Sequence, residues 1–175
     1  VETACGRLTR YTSGKRRARQ HIDIIVTFVL IAMRSVILLL IICAMSSRTA
    51  QAQMMHYPDK AFEMAQATGK DVMLVFSGSD WCIPCIQFNK KILSDSSFLR
   101  FAGDHLVLLE ADFPQRKKIE AALRNQYDSL AAIFNPKGAF PQVVLLSPEK
   151  KLRAYVPTRQ QTPDGFINTL KQLLQ

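Results

Sequence analysis

Val72-Met73-Leu74-Val75-Phe76 is a continuous apolar run with no polar alternation, and Ser77-Gly78-Ser79-Asp80 follows it at once. A run this short and this apolar reads as a strand buried on both faces, which needs a layer of helices above it and another below. Leu106 to Leu109 and Val143 to Leu146 repeat the pattern. Helical signals lie between and around these runs. Pro58 to Thr68 carries Phe62 and Ala65 at helical spacing and stops at Gly69, a natural C-terminal cap. Ile119, Leu123, Tyr127, Leu130 and Phe134 recur every three or four residues, which predicts a long amphipathic helix. Thr162 as a cap with Pro163 behind it opens a last helix bearing Phe166, Ile167, Leu170 and Leu174. Leu152 to Val156 alternates and follows the turn Ser147-Pro148-Glu149-Lys150, as an edge strand would. Strands interleaved with helices and ending in a hairpin and a helix predict an α/β sandwich.

With 175 residues, 48% of them hydrophobic, the chain can bury one core and is short for two. Its net charge of +9 would ordinarily suggest nucleic acid or a membrane surface. Residues 1–52, however, hold 8 Lys/Arg against 2 Asp/Glu, so two thirds of the excess precedes the folded part. The remainder shows no basic face, and no nucleic-acid partner is expected. Ile24 to Met45 is apolar apart from a few positions, chiefly Arg34, and Ala50-Gln51-Ala52 follows. Read from Met33, the first methionine, this is a signal peptide over residues 33–52: Arg34 as the n-region, Val36 to Met45 as the h-region, and an A-x-A cleavage site. Gln53 would begin the mature domain, residues 53–175, and residues 1–32 would lie upstream of the true start. The competing reading keeps Ile24 to Met45 as an uncleaved inner-membrane anchor, at the cost of a charge at Arg34 within the span. Cys43 follows the bulky Ile42, which argues against a lipoprotein site.

Cleavage removes Cys5 and Cys43 and leaves Cys82 and Cys85, in Trp81-Cys82-Ile83-Pro84-Cys85. A pair this close closes too small a loop to staple a fold, so it points to chemistry. A helix starting at Cys82 sets Cys85, Phe88 and Ile92 on one face and brings the two sulfurs within disulfide reach. At the helix start, unpaired N–H groups and the helix dipole stabilise a thiolate, the attacking species, so Cys82 is the expected nucleophile. Cys85, one turn deeper, is expected to resolve the mixed disulfide. Pro84 falls in the first turn, where its missing N–H is harmless, and Trp81 offers flat apolar surface to a partner chain. A zinc site would need two more ligands, and His56 and His105 do not stand at ligand spacing. Haem attachment would need His after Cys85, where Ile86 stands. No metal and no cofactor are expected.

Strand, Trp-Cys-x-Pro-Cys, helix, and a later Phe140-Pro141 step opening a strand together resemble the thioredoxin family, and Phe76 to Cys82 is similar to its exported bacterial branch. The resemblance covers residues 57 to 175. It implies a thioredoxin-like fold, a central mixed sheet with helices on both faces. It further implies that Pro141 is cis beside the cysteine pair, with Phe140 offering backbone groups to the substrate alongside Trp81. One departure stands out. Val75 and Phe76 stand where the family buries a carboxylate in the strand before the motif; Asp80 is expected to face solvent, and Glu110 would serve only if its side chain points inward.

The expected function is thiol-disulfide exchange in the periplasm, reducing or isomerising disulfides of exported proteins, with a membrane or periplasmic electron donor and the domain acting as a monomer. Ile83-Pro84 offers no polar group to hold a much stabilised thiolate, which argues against an oxidase. The rival reading is a non-catalytic module whose Trp81 and Pro141 groove holds a client protein or a metal such as copper.

Overall fold

The computed structural model describes residues 33–34, 51–159 and 162–175. The chain divides into two units, Val1–Arg48 and Thr49–Gln175, and the sheet and its helices belong to the second. Residues 1–32 and the expected targeting segment 33–52, apart from 33–34 and 51–52, lie outside the described residues. Among the described residues no helix is long and apolar enough to cross a membrane.

A five-stranded sheet organises the unit. Its strands are β1 (Met54–Met55), β2 (Asp71–Ser77), β3 (Leu106–Asp112), β4 (Gln142–Leu146) and β5 (Leu152–Val156). Their order is β1-β3-β2-β4-β5. β1 and β2 pair with β3 in parallel, while β4 runs antiparallel to β2 and to β5. The sheet is therefore mixed, with the hairpin strand β5 at one edge.

The helices are α1 (Pro58–Thr68), α2 (Ile83–Phe88), α3 (Ser96–His105), α4 (Ala121–Phe134) and α5 (Pro163–Leu173). Alternation along each strand splits the core into two layers. Met73, Val75, Leu106 and Leu108 face Phe88, Ile92, Phe98 and Phe166, from α2, its continuation, α3 and α5. Val72, Leu74, Phe76, Val107 and Leu109 face Phe62 and Ala65 of α1 and Tyr127 and Phe134 of α4. Helices thus cover both faces, and the apolar run of β2 is buried along its whole length. Completely burying a ring such as Phe166 contributes about 1.5–3 kcal/mol.

Local signals account for most boundaries. Gly69 ends α1 in the left-handed conformation at φ 69°, open to glycine without a side-chain penalty. Thr162 accepts the Gly165 N–H at the start of α5, with Pro163 in the first turn. The structure adds what the apolar spacing did not announce. α2 continues as a π-helical turn, Asn89–Leu93, and α3 follows almost at once, capped by Asp95, whose carboxylate accepts the N–H groups of Ser97 and Phe98. β1 is two residues long, too short for any periodicity.

Candidate active site

The site lies where β2 ends and α2 begins, beside the C-terminal end of β3, the usual place for a ligand crevice in such sheets. Cys82 is the N-cap of α2 in extended conformation, and its sulfur accepts the Cys85 N–H at 3.2 Å. The two cysteines form a disulfide, with an S–S distance of 2.02 Å and Cα atoms 5.2 Å apart. The structure is thus of the oxidised pair. Both residues are buried, Cys82 at 4% exposure and Cys85 at 3%, so Cys82 is less open than a cysteine at a helix start promised. The asymmetry between them is one of access. A cleft of about 440 Å³ is bounded by Trp81, Cys82, Ile83, Pro84, Gly138 and Phe140, and Cys85 does not border it. A partner entering this cleft meets Cys82 first.

Trp81 is held on two sides. Its Nε1 donates to the Phe113 carbonyl at 2.7 Å, and its ring stands edge-on to Phe140 at 5.4 Å. Phe113 in turn stands edge-on to Phe140, and the Arg124 guanidinium lies 5.0 Å above the Phe113 ring. Behind the indole there is no room: a Cβ on Gly78 would run into Trp81 Cε2 and lie 2.5 Å from Nε1. The turn carrying the motif is tied to the end of β3. Asp112 accepts the Ser79 N–H and hydroxyl, and the Phe113 N–H donates to the Ser77 carbonyl.

The opposite wall is built by the turn after α4. Asn135 is buried, and its amide brackets Ala139, donating to the Ala139 carbonyl and accepting the Ala139 N–H, both at 2.9 Å. Gly138 in that turn has φ 60°, a conformation that favours glycine. The turn delivers Phe140 and Pro141, and the peptide bond between them is cis, as the resemblance implied. Trp81, Cys82 and Phe140 therefore meet at one cleft, while Pro141 stands just beyond it, lining the neighbouring groove.

The two carboxylates near the motif sort by burial. Asp80 lies at the surface, as expected, and its two oxygens accept the N–H groups of Gln115 and Arg116 at 2.9 and 2.7 Å. The Gln115 bond is the largest of the effects holding its carboxyl below the usual range. It pins the loop after β3 and is spoken for. Glu110 is buried and pairs in register with Val75, on the sheet face that α2 covers. Burial pushes its carboxyl up, Asp112 adds to this, and His56, 3.7 Å away, and Ser77 work against it. Tyr127, pushed up to about 12 chiefly by burial, stays a neutral donor to the His56 carbonyl. Among the described residues no group of three or more His, Cys, Asp or Glu is placed to hold a metal.

Gly78, Asp112, Phe113 and Asn135 were not singled out from sequence. Gly78 abuts the motif and Asp112-Phe113 ends a buried strand, both readable signals; Asn135 gave none.

Residues 53–148 match a family model described as thioredoxin-like. The chain belongs to the thioredoxin-like family. It is similar to the disulfide bond reductase DsbH of Chlamydia pneumoniae, 33% identical over 116 residues that cover 66% of this chain and 69% of the relative. It is 30% identical over 139 residues to the thiol:disulfide interchange protein DsbD of Yersinia enterocolitica, covering 74% of this chain but 22% of that protein. Among solved structures, a DsbH oxidoreductase superposes with a TM-score of 0.66 at 31% identity, covering 71% of this chain and 87% of the other. A thioredoxin from Thermus thermophilus superposes with a TM-score of 0.53 at 20% identity, over 70% of this chain and 87% of that one, and speaks for the fold alone. With its Cys82-Ile83-Pro84-Cys85 pair at the head of α2, this thioredoxin-like domain is a thiol-disulfide oxidoreductase.

Proposed function

We propose that the domain reduces or isomerises disulfides of exported proteins in the periplasm, with Cys82 attacking and Cys85 resolving. The observation that carries this reading is the access asymmetry: Cys82 borders the cleft, and Cys85 lies behind it. In the reduced enzyme the Cys82 thiolate attacks one sulfur of a client disulfide. The client S–S bond breaks, a Cys82–client mixed disulfide forms, and the other client sulfur leaves and takes a proton. Cys85, losing its own proton, then attacks Cys82, closes the intramolecular disulfide and releases the second client thiol. Two electrons pass to the client, so a separate donor must restore the dithiol. Similarity to DsbH, a disulfide bond reductase, supports the reducing direction, and the donor in this reading is a membrane or periplasmic one.

Glu110 is the carboxylate we assign to proton transfer at Cys85. It shares the sheet face with α2, and burial raises its carboxyl, so it holds a proton more readily than an ordinary exposed one. Trp81 and Phe140 form the surface on which a client rests, with Pro141 at its end. Export by a signal peptide ending at Ala52 belongs to the same proposal. Cleavage there would remove the hydrogen bond from the Ala52 N–H to the Leu99 carbonyl.

Turnover of insulin reduction with dithiothreitol tests the reading. Catalysis lost in Cys82→Ser is expected. Absence of catalysis, with copper retained through gel filtration, would establish the binding module in its place.

A further inference from the structure

A groove of about 1020 Å³ runs alongside the cysteine cleft, between one side of α2 and the end of β5. We propose that it binds the client segment flanking the disulfide under attack and selects segments that carry acidic side chains. This rests on the exchange reading above.

Continuity is the first support. Pro84 and Phe140 border both the groove and the cleft over Cys82, so a chain bonded to Cys82 passes directly from one into the other. The volume is at the upper end of what encloses a drug-sized ligand, roughly 300–1,000 Å³, enough for a few residues of extended chain. Its floor is apolar, made by Phe88, Ile92 and Val156, which suits the backbone and alternate side chains of such a segment.

Charge is the second support. Lys91 and Arg159 line the groove, both are exposed, and no Asp or Glu lines it with them. Neither forms an ion pair among the described residues, so both charges are open to an incoming carboxylate. Charges at a rim chiefly set the encounter rate and its salt dependence. A second basic cluster, Arg116, Lys117 and Lys118, is exposed on the loop tied to the Trp81 side of the site, and it offers an internal control.

The experiment uses two disulfide-bonded peptides, identical except that Glu-Glu or Lys-Lys stands two and three residues from the cysteine. Their reaction rates with the reduced protein are compared at low and high salt. The Glu peptide is expected to react about fivefold faster at low salt, consistent with one or two partly screened charge pairs, and to lose much of that advantage at high salt. The ratio should fall to unity or below in Lys91→Glu/Arg159→Glu and persist in Lys117→Glu/Lys118→Glu. Equal rates for the two peptides with wild type, or a preference abolished only by the loop variant, overturn the groove. Uncharged hydroxyethyl disulfide, with no flanking chain, reports exchange alone. If wild type reduces neither it nor the peptides, the exchange reading fails and the groove with it.

Discussion

Gly78→Ala places a methyl group where the Trp81 indole now sits. The added Cβ would run into Cε2 and lie 2.5 Å from Nε1 and 2.7 Å from Cζ2, separations that real Cβ atoms do not show. The ring cannot slide aside without loss, because Phe113 holds its nitrogen and Phe140 packs edge-to-face against it. It must leave both. The lost hydrogen bond costs about 0.5–1.5 kcal/mol and the lost edge-to-face contact about 0.5–1.5 kcal/mol. Alanine also lowers the entropy of the unfolded chain, which returns about 0.4–1 kcal/mol. The steric loss wins at the centre of these ranges, leaving a destabilisation of about 1.3 kcal/mol, or roughly 4–8 °C in Tm for a domain of this size. Trp81 is the single tryptophan of the chain, so its emission reports the displacement without interference. The expected result is a shifted emission maximum, a lower Tm and a severalfold slower reaction with a protein disulfide. An unchanged emission spectrum with unchanged or raised Tm would refute the claim that Gly78 makes room for the indole.

Cys85→Ser should accumulate mixed disulfides with client proteins on non-reducing gels, and Cys82→Ser few; equal trapping would reverse the assignment of roles. Asn135→Ala removes both bonds to Ala139, so a loss of about 1–3 kcal/mol is expected in denaturant unfolding, with faster hydrogen exchange in residues 136–140. Glu110→Gln separates stability from chemistry. The folded protein favours the protonated carboxyl, so stability contributed by that proton is present below the ordinary value of 4.5 and is lost as pH rises through the raised folded value. The variant should therefore melt above wild type at pH 7 and converge with it in acid, while resolving mixed disulfides more slowly; a variant less stable at pH 7 and unimpaired in exchange would contradict both assignments.

The parts of this fold that were legible in sequence are those with a physical signature inside a few residues. β2 announces itself because both its faces are covered, leaving no polar alternation to confuse it. α5 declares its start through Thr162 and Pro163, and Cys82 and Cys85 declare their chemistry through spacing and a helix start. What stayed hidden depends on contacts between distant segments. Whether Glu110 points inward is decided by its register with Val75, which only the sheet can set. Asp80 gave no sign of its partners, because Gln115 and Arg116 stand 35 and 36 positions away. The walls of the cleft come from the turns after β2 and α4, and no local pattern says that those two turns meet.

The reduction potential of the Cys82–Cys85 couple, measured by equilibration with a thiol buffer of known potential, tests the central claim most directly. Ile83 and Pro84 give the Cys82 thiolate no polar partner between the cysteines, so the dithiol should be a competent reductant. The expected potential lies near that of thioredoxin, about −270 mV, and below about −200 mV. A value near −120 mV, typical of a strong oxidant, would mean that the domain forms disulfides where it is proposed to reduce them.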